Sequence, residues 1–279
     1  MMLSAGDAHE APVGGSVESS ARACLVRPRP QPGAAHRLYC FPWSGAGPAV
    51  FDRWAEQLPP TVELVAVQLP GRAGRRHEVL EVELGRMARA VAEAMREEPA
   101  GSCAFYGHSL GALLAFEVLL RLQHNDTGIE ALIASGSRAP VCPPPRPLHE
   151  FHDTDLVRRL IAMGGISPQR LRDREFTRRV LPVIKADLTA CETYTAPRGA
   201  AITCPVITWS GAEDWYAPQS TMRQWADVTA RPEAVTHRSF PGGHFFVHAV
   251  PADLALAELG WPRTQTDWSG ASARTAHAA

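Results

Sequence analysis

The sequence predicts an α/β fold in which a mainly parallel central sheet carries helices on both faces. Three observations lead to this prediction. Strand-like apolar runs alternate with helical patterns through the first half of the 279 residues, which is typical of parallel strands joined by crossover helices. One predicted strand passes directly into residues 107–111, which read Gly-His-Ser-Leu-Gly, and an apolar helix follows. An interruption of about 65 residues before the last two strands is long for an ordinary connection and predicts an inserted helical lid.

Length and composition favour one large soluble domain. Hydrophobic residues make up 45% of the chain and charged residues 20%, so the sequence can bury a substantial core. A formal net charge of -1 gives no reason to expect nucleic acid as a partner. Arginines are concentrated at Arg72, Arg75 and Arg76 and again in residues 170–179, and we interpret both groups as solvated surface.

The six cysteines indicate a reducing environment. None belongs to a Cys-x-x-Cys pair, and several lie in apolar strand-like runs, which predicts buried reduced thiols. The sequence does not open on a basic segment followed by an apolar core, and no apolar run approaches the length of a membrane span. We therefore expect a cytoplasmic protein that does not associate with membranes.

We divide the chain into three parts. Residues 1–35 are rich in Gly, Ala, Ser and Pro without periodicity and are predicted to be a disordered leader. Residues 36–260 are predicted to form the folded domain, and residues 261–279 a disordered tail. Within the domain the predicted strands are, in order, Arg37–Phe41, Val62–Leu69, Cys103–Tyr106, Ile129–Ser135, Pro205–Ser210 and Val235–Phe240.

Helices with apolar residues on one side separate the first strands and are predicted at Ala49–Leu58, Leu80–Met95 and Ala112–Leu122. After Gly136 the pattern changes to a Pro-rich linker, followed by predicted helices near Asp153–Met163 and Glu175–Tyr194. We name residues 138–203 the lid, because a helical insertion between two strands of one sheet commonly covers an active site.

Ser109 is the candidate nucleophile. It stands at a strand-to-helix turn of the form Gly-x-Ser-x-Gly, where the serine backbone is strained and its hydroxyl is exposed above the sheet. Small residues at Gly107 and Gly111 let the strand and the helix pack closely around it. The helix N-terminus beside it favours developing negative charge. We interpret the neighbouring His108 as structural.

Two further strand ends supply the partners that a nucleophilic serine needs. Asp214 follows the predicted strand Pro205–Ser210 and is the candidate acid, with its neighbour Glu213 as the competing carboxylate. His244 lies on a glycine-rich loop after the last strand and is the candidate base. The order Ser109, Asp214, His244 is the order of a catalytic triad on an α/β-hydrolase sheet.

Metal-binding alternatives arise from other histidines. His248 stands four residues after His244, but no third ligand of suitable spacing accompanies them. His149 and His152 lie beside Asp153, and we interpret them as a polar edge of the lid. We therefore predict no metal site.

The loop of residues 42–47, which reads Pro-Trp-Ser-Gly-Ala-Gly, follows the first predicted strand. Its small residues would let backbone N–H groups approach a ligand closely, as an oxyanion hole requires. An ordinary strand-to-helix connection explains the same residues equally well. The residues alone leave both interpretations open.

Several sequence blocks together resemble the type II thioesterases, the discrete editing enzymes of polyketide and nonribosomal peptide synthesis. The resemblance extends over residues 37–259 and is far more specific than Gly-x-Ser-x-Gly alone. The matching blocks are Cys40-Phe41-Pro42, Leu69-Pro70-Gly71-Arg72, Gly107-His108-Ser109-Leu110-Gly111-Ala112, Ser135-Gly136-Ser137-Arg138-Ala139-Pro140, Cys191-Glu192-Thr193-Tyr194 and Gly242-Gly243-His244-Phe245-Phe246.

The resemblance implies an α/β-hydrolase fold and a defined reaction. The substrate would be an aberrant or stalled acyl or aminoacyl thioester on the phosphopantetheine arm of a carrier protein domain, and the reaction would be hydrolysis. No diffusible cofactor is implied, since the arm belongs to the partner. We expect the enzyme to act as a monomer.

The resemblance also assigns the oxyanion hole. Its donors would be the backbone N–H groups of Leu110 and Ser44. The second assignment is where this chain departs from the family, whose loop commonly reads His-Ala-Gly-Gly instead of Trp43-Ser44-Gly45-Ala46. Asp187 matches a recurring aspartate of the family's lid helix and is an alternative acid for the triad.

Three other functions remain compatible with the sequence. A product-releasing or cyclising thioesterase shares the same fold, although such enzymes usually end a synthase, and this chain has no carrier-like region. A general serine esterase, lipase or peptidase would prefer oxygen esters or peptides to acyl-carrier thioesters. A non-catalytic binding protein would keep the fold without the chemistry, and the presence of all three triad residue types disfavours it.

Overall fold

The computed structural model describes residues 23–262, except residue 100 and residues 124–127 and 145–146. In this part of the chain, seven strands form one sheet in the order β1-β3-β2-β4-β5-β6-β7. The strands are Leu25–Val26 (β1), His36–Phe41 (β2), Val62–Val67 (β3), Ser102–His108 (β4), Ile129–Ser135 (β5), Val206–Gly211 (β6) and Thr236–Phe240 (β7).

All neighbouring strands from β3 to β7 pair in parallel, which confirms the predicted mainly parallel sheet. The exception is β1, which pairs antiparallel with β3 in the register Leu25 opposite Val67. The predicted leader is therefore wrong at its C-terminal boundary, because residues 23–35 include an edge strand. A strand of two residues is too short to show a period in the sequence. Residues 1–22 lie outside the described part.

The C-terminal boundary of the domain also needs a correction. Trp261, predicted to open a disordered tail, is only 5% exposed. Its ring stacks on His36 with centroids 4.6 Å apart, and its Nε1–H donates to Glu130 Oε2 at 2.7 Å. The folded domain thus includes Trp261, while residues 263–279 lie outside the described part.

The α-helices within the described residues are Asp52–Gln57 (α1), Leu84–Arg96 (α2), Leu110–Leu122 (α3), Asp153–Ala162 (α4), Arg174–Arg179 (α5), Leu181–Thr193 (α6), Gln219–Arg223 (α7) and Ala252–Leu259 (α8). The lid contains α4, α5 and α6. The helix predicted as continuous over Glu175–Tyr194 is in fact two helices, interrupted at Val180. Pro182 stands in the first turn of α6, where a missing N–H costs little, so the proline starts a helix rather than continuing one.

The helices cover both faces of the sheet because each strand alternates its side chains between them. Tyr39 and Phe41 of β2 point into a core shared with α2, α3 and α6. Leu38 and Cys40 point into a second core on the opposite face, shared with α1 and α8. A third apolar cluster lies inside the lid and includes Tyr216 from outside it. No helix in the described residues is long and apolar enough to cross a membrane.

The strand order places a topological switch point between β2 and β4. From β2 the chain moves to β3 on one side, and it then returns to β4 on the other side. Ligands bind at such a point in open parallel sheets, because the loops after the two strands separate from each other there. Phe41 at the end of β2 lies opposite Gly107 of β4, so the loop of residues 42–47 begins beside Ser109.

Trp261→Ala tests the extended domain boundary. We expect the free energy of unfolding in urea to fall by about 3 kcal/mol, since a buried indole and its stacking contact with His36 are lost. The control is Trp215→Ala, which truncates an indole that is 49% exposed and should cost less than about 1 kcal/mol. Equal losses would contradict a structural role for Trp261.

The cysteines provide a second test of the fold. All six lie within the described residues, none forms a disulfide, and none is more than 8% exposed. Burial raises the pKa of both Cys103 and Cys191 to about 12, and only the thiolate reacts with electrophiles. We expect Ellman's reagent at pH 8 to modify essentially no thiol in the native protein and all six in urea. Rapid labelling of the native protein would contradict the described packing.

Candidate active site

Ser109 lies between β4 and α3 in a strained backbone conformation. Its φ is 56° and its ψ is -119°, values that non-glycine residues rarely adopt. The Ser109 N–H donates to Ser135 O at 2.8 Å, which fixes the turn to the neighbouring strand β5. The surrounding sheet therefore supports the strain, as expected for a nucleophile held above a strand end.

Two glycines allow this turn to form. A Cβ atom at Gly107 would lie 2.3 Å from Gly111 O. A Cβ atom at Gly111 would lie 2.1 Å from Phe41 O and 2.8 Å from Pro42 O. All three distances are shorter than real Cβ contacts, so only glycine permits the first turn of α3 to lie against the ends of β2 and β4.

Asp214 and His244 are brought together by the loops after β6 and β7. His244 Nδ1–H donates to Asp214 Oδ2 at 2.8 Å, and the two residues are each 4% exposed. Asp214 Oδ1 accepts the backbone N–H groups of Tyr216 at 2.9 Å and Ala217 at 3.0 Å. An ionised carboxylate only accepts hydrogen bonds, so Nδ1 carries the proton and Nε2 is left as a base. Glu213, the competing acid, is exposed.

His244 reaches the serine turn by a ring contact with His108, the residue before Ser109. The His108 and His244 ring centroids are 5.1 Å apart. Burial, reinforced by the charges of His244 and His248, holds the pKa of His108 well below its usual range, so that its ring is neutral. Among the described residues no hydrogen bond joins Ser109 Oγ to His244. In enzymes without bound substrate this bond is often long and tightens in the reacting complex.

The loop of residues 42–47 contains a tight turn. Ala46 N–H donates to Trp43 O at 3.0 Å, and Gly45 has a φ of 80°, the combination found in a type II turn. Gly45 N–H donates to Asp187 Oδ2 at 2.7 Å and is therefore not free for a ligand. In the described part of the chain, the N–H groups of Ser44 and Leu110 donate no hydrogen bond. Both predicted oxyanion donors are thus available.

Among the described residues no hydrogen bond joins Asp187 to His244, whose Nδ1 is bonded to Asp214, so the structure gives no support to Asp187 as the alternative acid. Its carboxylate is fully buried and accepts hydrogen bonds from Arg72 Nη1 at 2.5 Å and from Arg72 Nη2 at 2.7 Å. The interpretation of Arg72 and Arg75 as solvated surface is wrong, since each is 8% exposed. Arg75 donates to Gln68 O at 2.9 Å and pairs with Glu78.

Tyr216 and Glu192 are site neighbours that the sequence did not reveal. The Tyr216 ring lies 5.2 Å from the His244 ring in an edge-to-face contact. Its hydroxyl donates to Glu192 Oε1 at 2.8 Å, and Glu192 also accepts the N–H groups of Leu148 and His149. Burial raises the pKa of Tyr216 well above its usual range, so that it stays a donor. The signals in the sequence were the position of Tyr216 two residues after Asp214 and the place of Glu192 in a block that resembles the type II thioesterases.

The histidines that competed for metal binding have other partners. His149 Nδ1 contacts Glu192 Oε2 at 2.6 Å. His248 stacks on Phe245, with ring centroids 5.5 Å apart. The described residues include no group of three or more His, Cys, Asp or Glu side chains arranged to hold a metal ion.

The arrangement is suited to nucleophilic acyl transfer. A strained serine, an imidazole oriented by a buried carboxylate and two available N–H groups occupy one edge of the sheet. A serine activated in this way attacks a carbonyl carbon, and the N–H groups stabilise the oxyanion that forms.

Comparison with known proteins agrees with this chemistry. A family model described as "Thioesterase domain" matches residues 36–257. Thioesterase PikA5 of Streptomyces venezuelae is 37% identical over 228 residues, which cover 80% of this chain and 80% of the relative. The RedJ thioesterase from the prodiginine pathway of Streptomyces coelicolor gives a TM-score of 0.74 at 36% identity and covers 83% of this chain and 87% of its own. YbtT, a type II thioesterase from the yersiniabactin NRPS/PKS pathway, gives 0.73 at 27% identity and covers 85% and 95%.

Asp214→Asn tests the assignment of the acid. We expect the rate of Ser109 modification by a fluorophosphonate probe to fall by about 10³- to 10⁴-fold, because an amide does not hold His244 in the required tautomer or stabilise its cation. Glu213→Gln is the matched control and should react at the wild-type rate. Wild-type labelling of Asp214→Asn would refute the assignment.

Proposed function

The chain belongs to the thioesterase domain family and has the α/β-hydrolase fold, and we propose that it hydrolyses aberrant or stalled acyl and aminoacyl thioesters from carrier proteins. The family makes it a hydrolase, and homologous type II thioesterases belong to polyketide and nonribosomal peptide pathways. The observation that carries the proposal is the hydrogen bond between Asp214 and His244 at the sheet edge that also holds Ser109.

The first half of the proposed reaction is acylation. His244 Nε2 takes the Ser109 proton while Oγ attacks the thioester carbonyl carbon. The tetrahedral oxyanion is stabilised by the N–H groups of Leu110 and Ser44. The carbon–sulfur bond then breaks, His244 returns the proton to the sulfur, and the carrier leaves with a free thiol. Asp214 keeps the imidazole oriented and stabilises its positive charge throughout.

The second half releases the acid. Water enters, His244 takes one of its protons, and the resulting hydroxide attacks the acyl carbon bound to Ser109. The carbon–oxygen bond to serine breaks, and His244 returns the proton to Ser109 Oγ. One thioester and one water thus give one carboxylic acid and one thiol. No diffusible cofactor takes part.

The partner proposed for this chain is an acyl or peptidyl carrier protein domain, which brings the substrate on its phosphopantetheine arm. The relatives' place in PKS and NRPS pathways supports this proposal. We also propose that the protein acts as a monomer. We also infer a cytoplasmic location, since the six buried thiols without disulfides suit a reducing compartment.

Ser109→Ala tests the proposed reaction. A panel of acyl groups is loaded on the cognate carrier protein, and the released acid and free thiol are measured. The wild-type enzyme should release several short acyl groups, whereas the variant should fall to the background rate with an unchanged thermal midpoint, because only the hydroxyl is lost. Undiminished turnover by the variant would refute the mechanism.

The same panel separates the alternatives. Faster cleavage of p-nitrophenyl esters than of carrier thioesters by the wild-type enzyme would indicate a general esterase. Strong preference for one long acyl chain, released as a ring, would indicate a product-releasing enzyme.

A further inference from the structure

The loop that carries the second oxyanion donor is held by a side chain of the lid. We propose that Asp187, on α6, positions the Ser44 N–H group for catalysis and that Arg72 holds Asp187 in place for this purpose. Asp187 is thus a positioning residue, and this inference rests on the proposed function, since it concerns the oxyanion of that reaction.

In the turn at residues 43–46, the Ser44 N–H is the group that remains free for a ligand. Trp43 C=O accepts from Ala46 N–H, and the trans peptide therefore directs the Ser44 N–H away from the turn. Gly45 N–H is held by Asp187, and Ala46 C=O accepts from Arg72 Nη1 at 3.2 Å. Anchoring these neighbouring peptide groups fixes the plane in which the Ser44 N–H lies.

Arg72 offsets the free-energy cost of burying the Asp187 carboxylate. Its guanidinium binds both Asp187 oxygens, and its Nε–H donates to Pro70 O at 3.2 Å. A carboxylate that is fully buried would be strongly destabilising without such a bidentate partner. The pair therefore connects three segments, namely the turn at residues 43–46, the loop after β3 and α6.

Helix α6 is itself fixed to the main domain, so it can serve as an anchor. Arg138 Nη2 donates to Cys191 O at 2.8 Å and to Tyr194 O at 3.0 Å at its C-terminal end. The Tyr194 hydroxyl donates to Glu117 on α3 at 2.6 Å. The Tyr194 bond ties the end of α6 to the helix that begins at the nucleophile, and the Arg138 bonds hold the same end to the segment that follows β5.

The turn and the residues just before it are also packed tightly. A Cβ atom at Gly45 would lie 2.3 Å from Ile184 Cγ1, so α6 touches the turn directly. The residues just before the turn lie against the start of α3, since a Cβ atom at Gly111 would lie 2.1 Å from Phe41 O and 2.8 Å from Pro42 O. Stabilisation of an oxyanion requires a donor at hydrogen-bond distance from the position that the anion will occupy. The contact with Asp187 supplies the remaining restraint.

The test uses Asp187→Asn, which keeps the size of the side chain but weakens the bonds to Gly45 and Arg72. We expect kcat for a small acyl thioester of N-acetylcysteamine to fall by about 10- to 100-fold with KM nearly unchanged, because only the transition state uses the oxyanion hole. An alkyl boronic acid, which forms a tetrahedral adduct with Ser109, should bind more weakly by the same factor.

Lys185→Gln is the matched control. Lys185 stands on the same helix, and its ammonium group pairs with Asp153 at 2.9 Å. Its loss should leave kcat and boronic acid affinity at wild-type values. If Asp187→Asn fails to fold, Arg72→Lys keeps the positive charge, gives up the bidentate contact and should show the same parallel loss in milder form.

Three outcomes would overturn the inference. They are a wild-type kcat in folded Asp187→Asn, a fall in kcat without a matching loss of boronic acid affinity, and a changed pH profile of kcat/KM, which would indicate an effect on His244 instead. Failure of the proposed function looks different, because wild-type enzyme would then leave carrier thioesters intact. Its kcat on p-nitrophenyl esters would still allow the Asp187 comparison.

Discussion

The close approach of α3 to the ends of β2 and β4 is the constraint on which the site depends. Two positions without a Cβ atom, Gly107 and Gly111, allow backbone to lie against backbone at this point. As a result, the strained turn of Ser109 and the loop after Phe41 lie directly beside each other. The switch point in strand order separates the loops that follow β2 and β4 and leaves room for a substrate between them.

The candidate triad could be recognised in the sequence because each of its residues lies within four positions of the end of a strand. Ser109, Asp214 and His244 stand where parallel strands deliver side chains to one edge, so their order alone was informative. The pairing of Arg72 with Asp187 joins residues 115 positions apart in the sequence. This pairing depends on how the lid packs against the main domain, and no local sequence pattern indicates that packing. An arginine next to a turn therefore resembled surface although it is buried.

The errors at the domain ends have a similar cause. The strand β1 is defined by backbone pairing with β3, and Trp261 by packing on His36, so neither shows a periodic pattern of its own. The division of the second lid helix at Val180 was visible in Pro182, but the apolar periodicity continued through it. Periodicity detects buried faces well, whereas it detects helix ends and single long-range contacts poorly.

Helix α6 has one side in the main core and the other in the apolar cluster of the lid. Sequence order assigns it to the insertion, yet its contacts assign it to the catalytic domain. This matters for chimeric enzymes built by exchanging insertions between relatives to change acyl preference. The two helices separate at Val180, which is the position where an exchange should end on this side. A chimera that replaced the whole insertion would bring a foreign helix to the turn at residues 43–46. Under the proposed role of Asp187, the stretch after Val180 must be kept for catalysis, and the stretch before it is the one to exchange when acyl preference is varied.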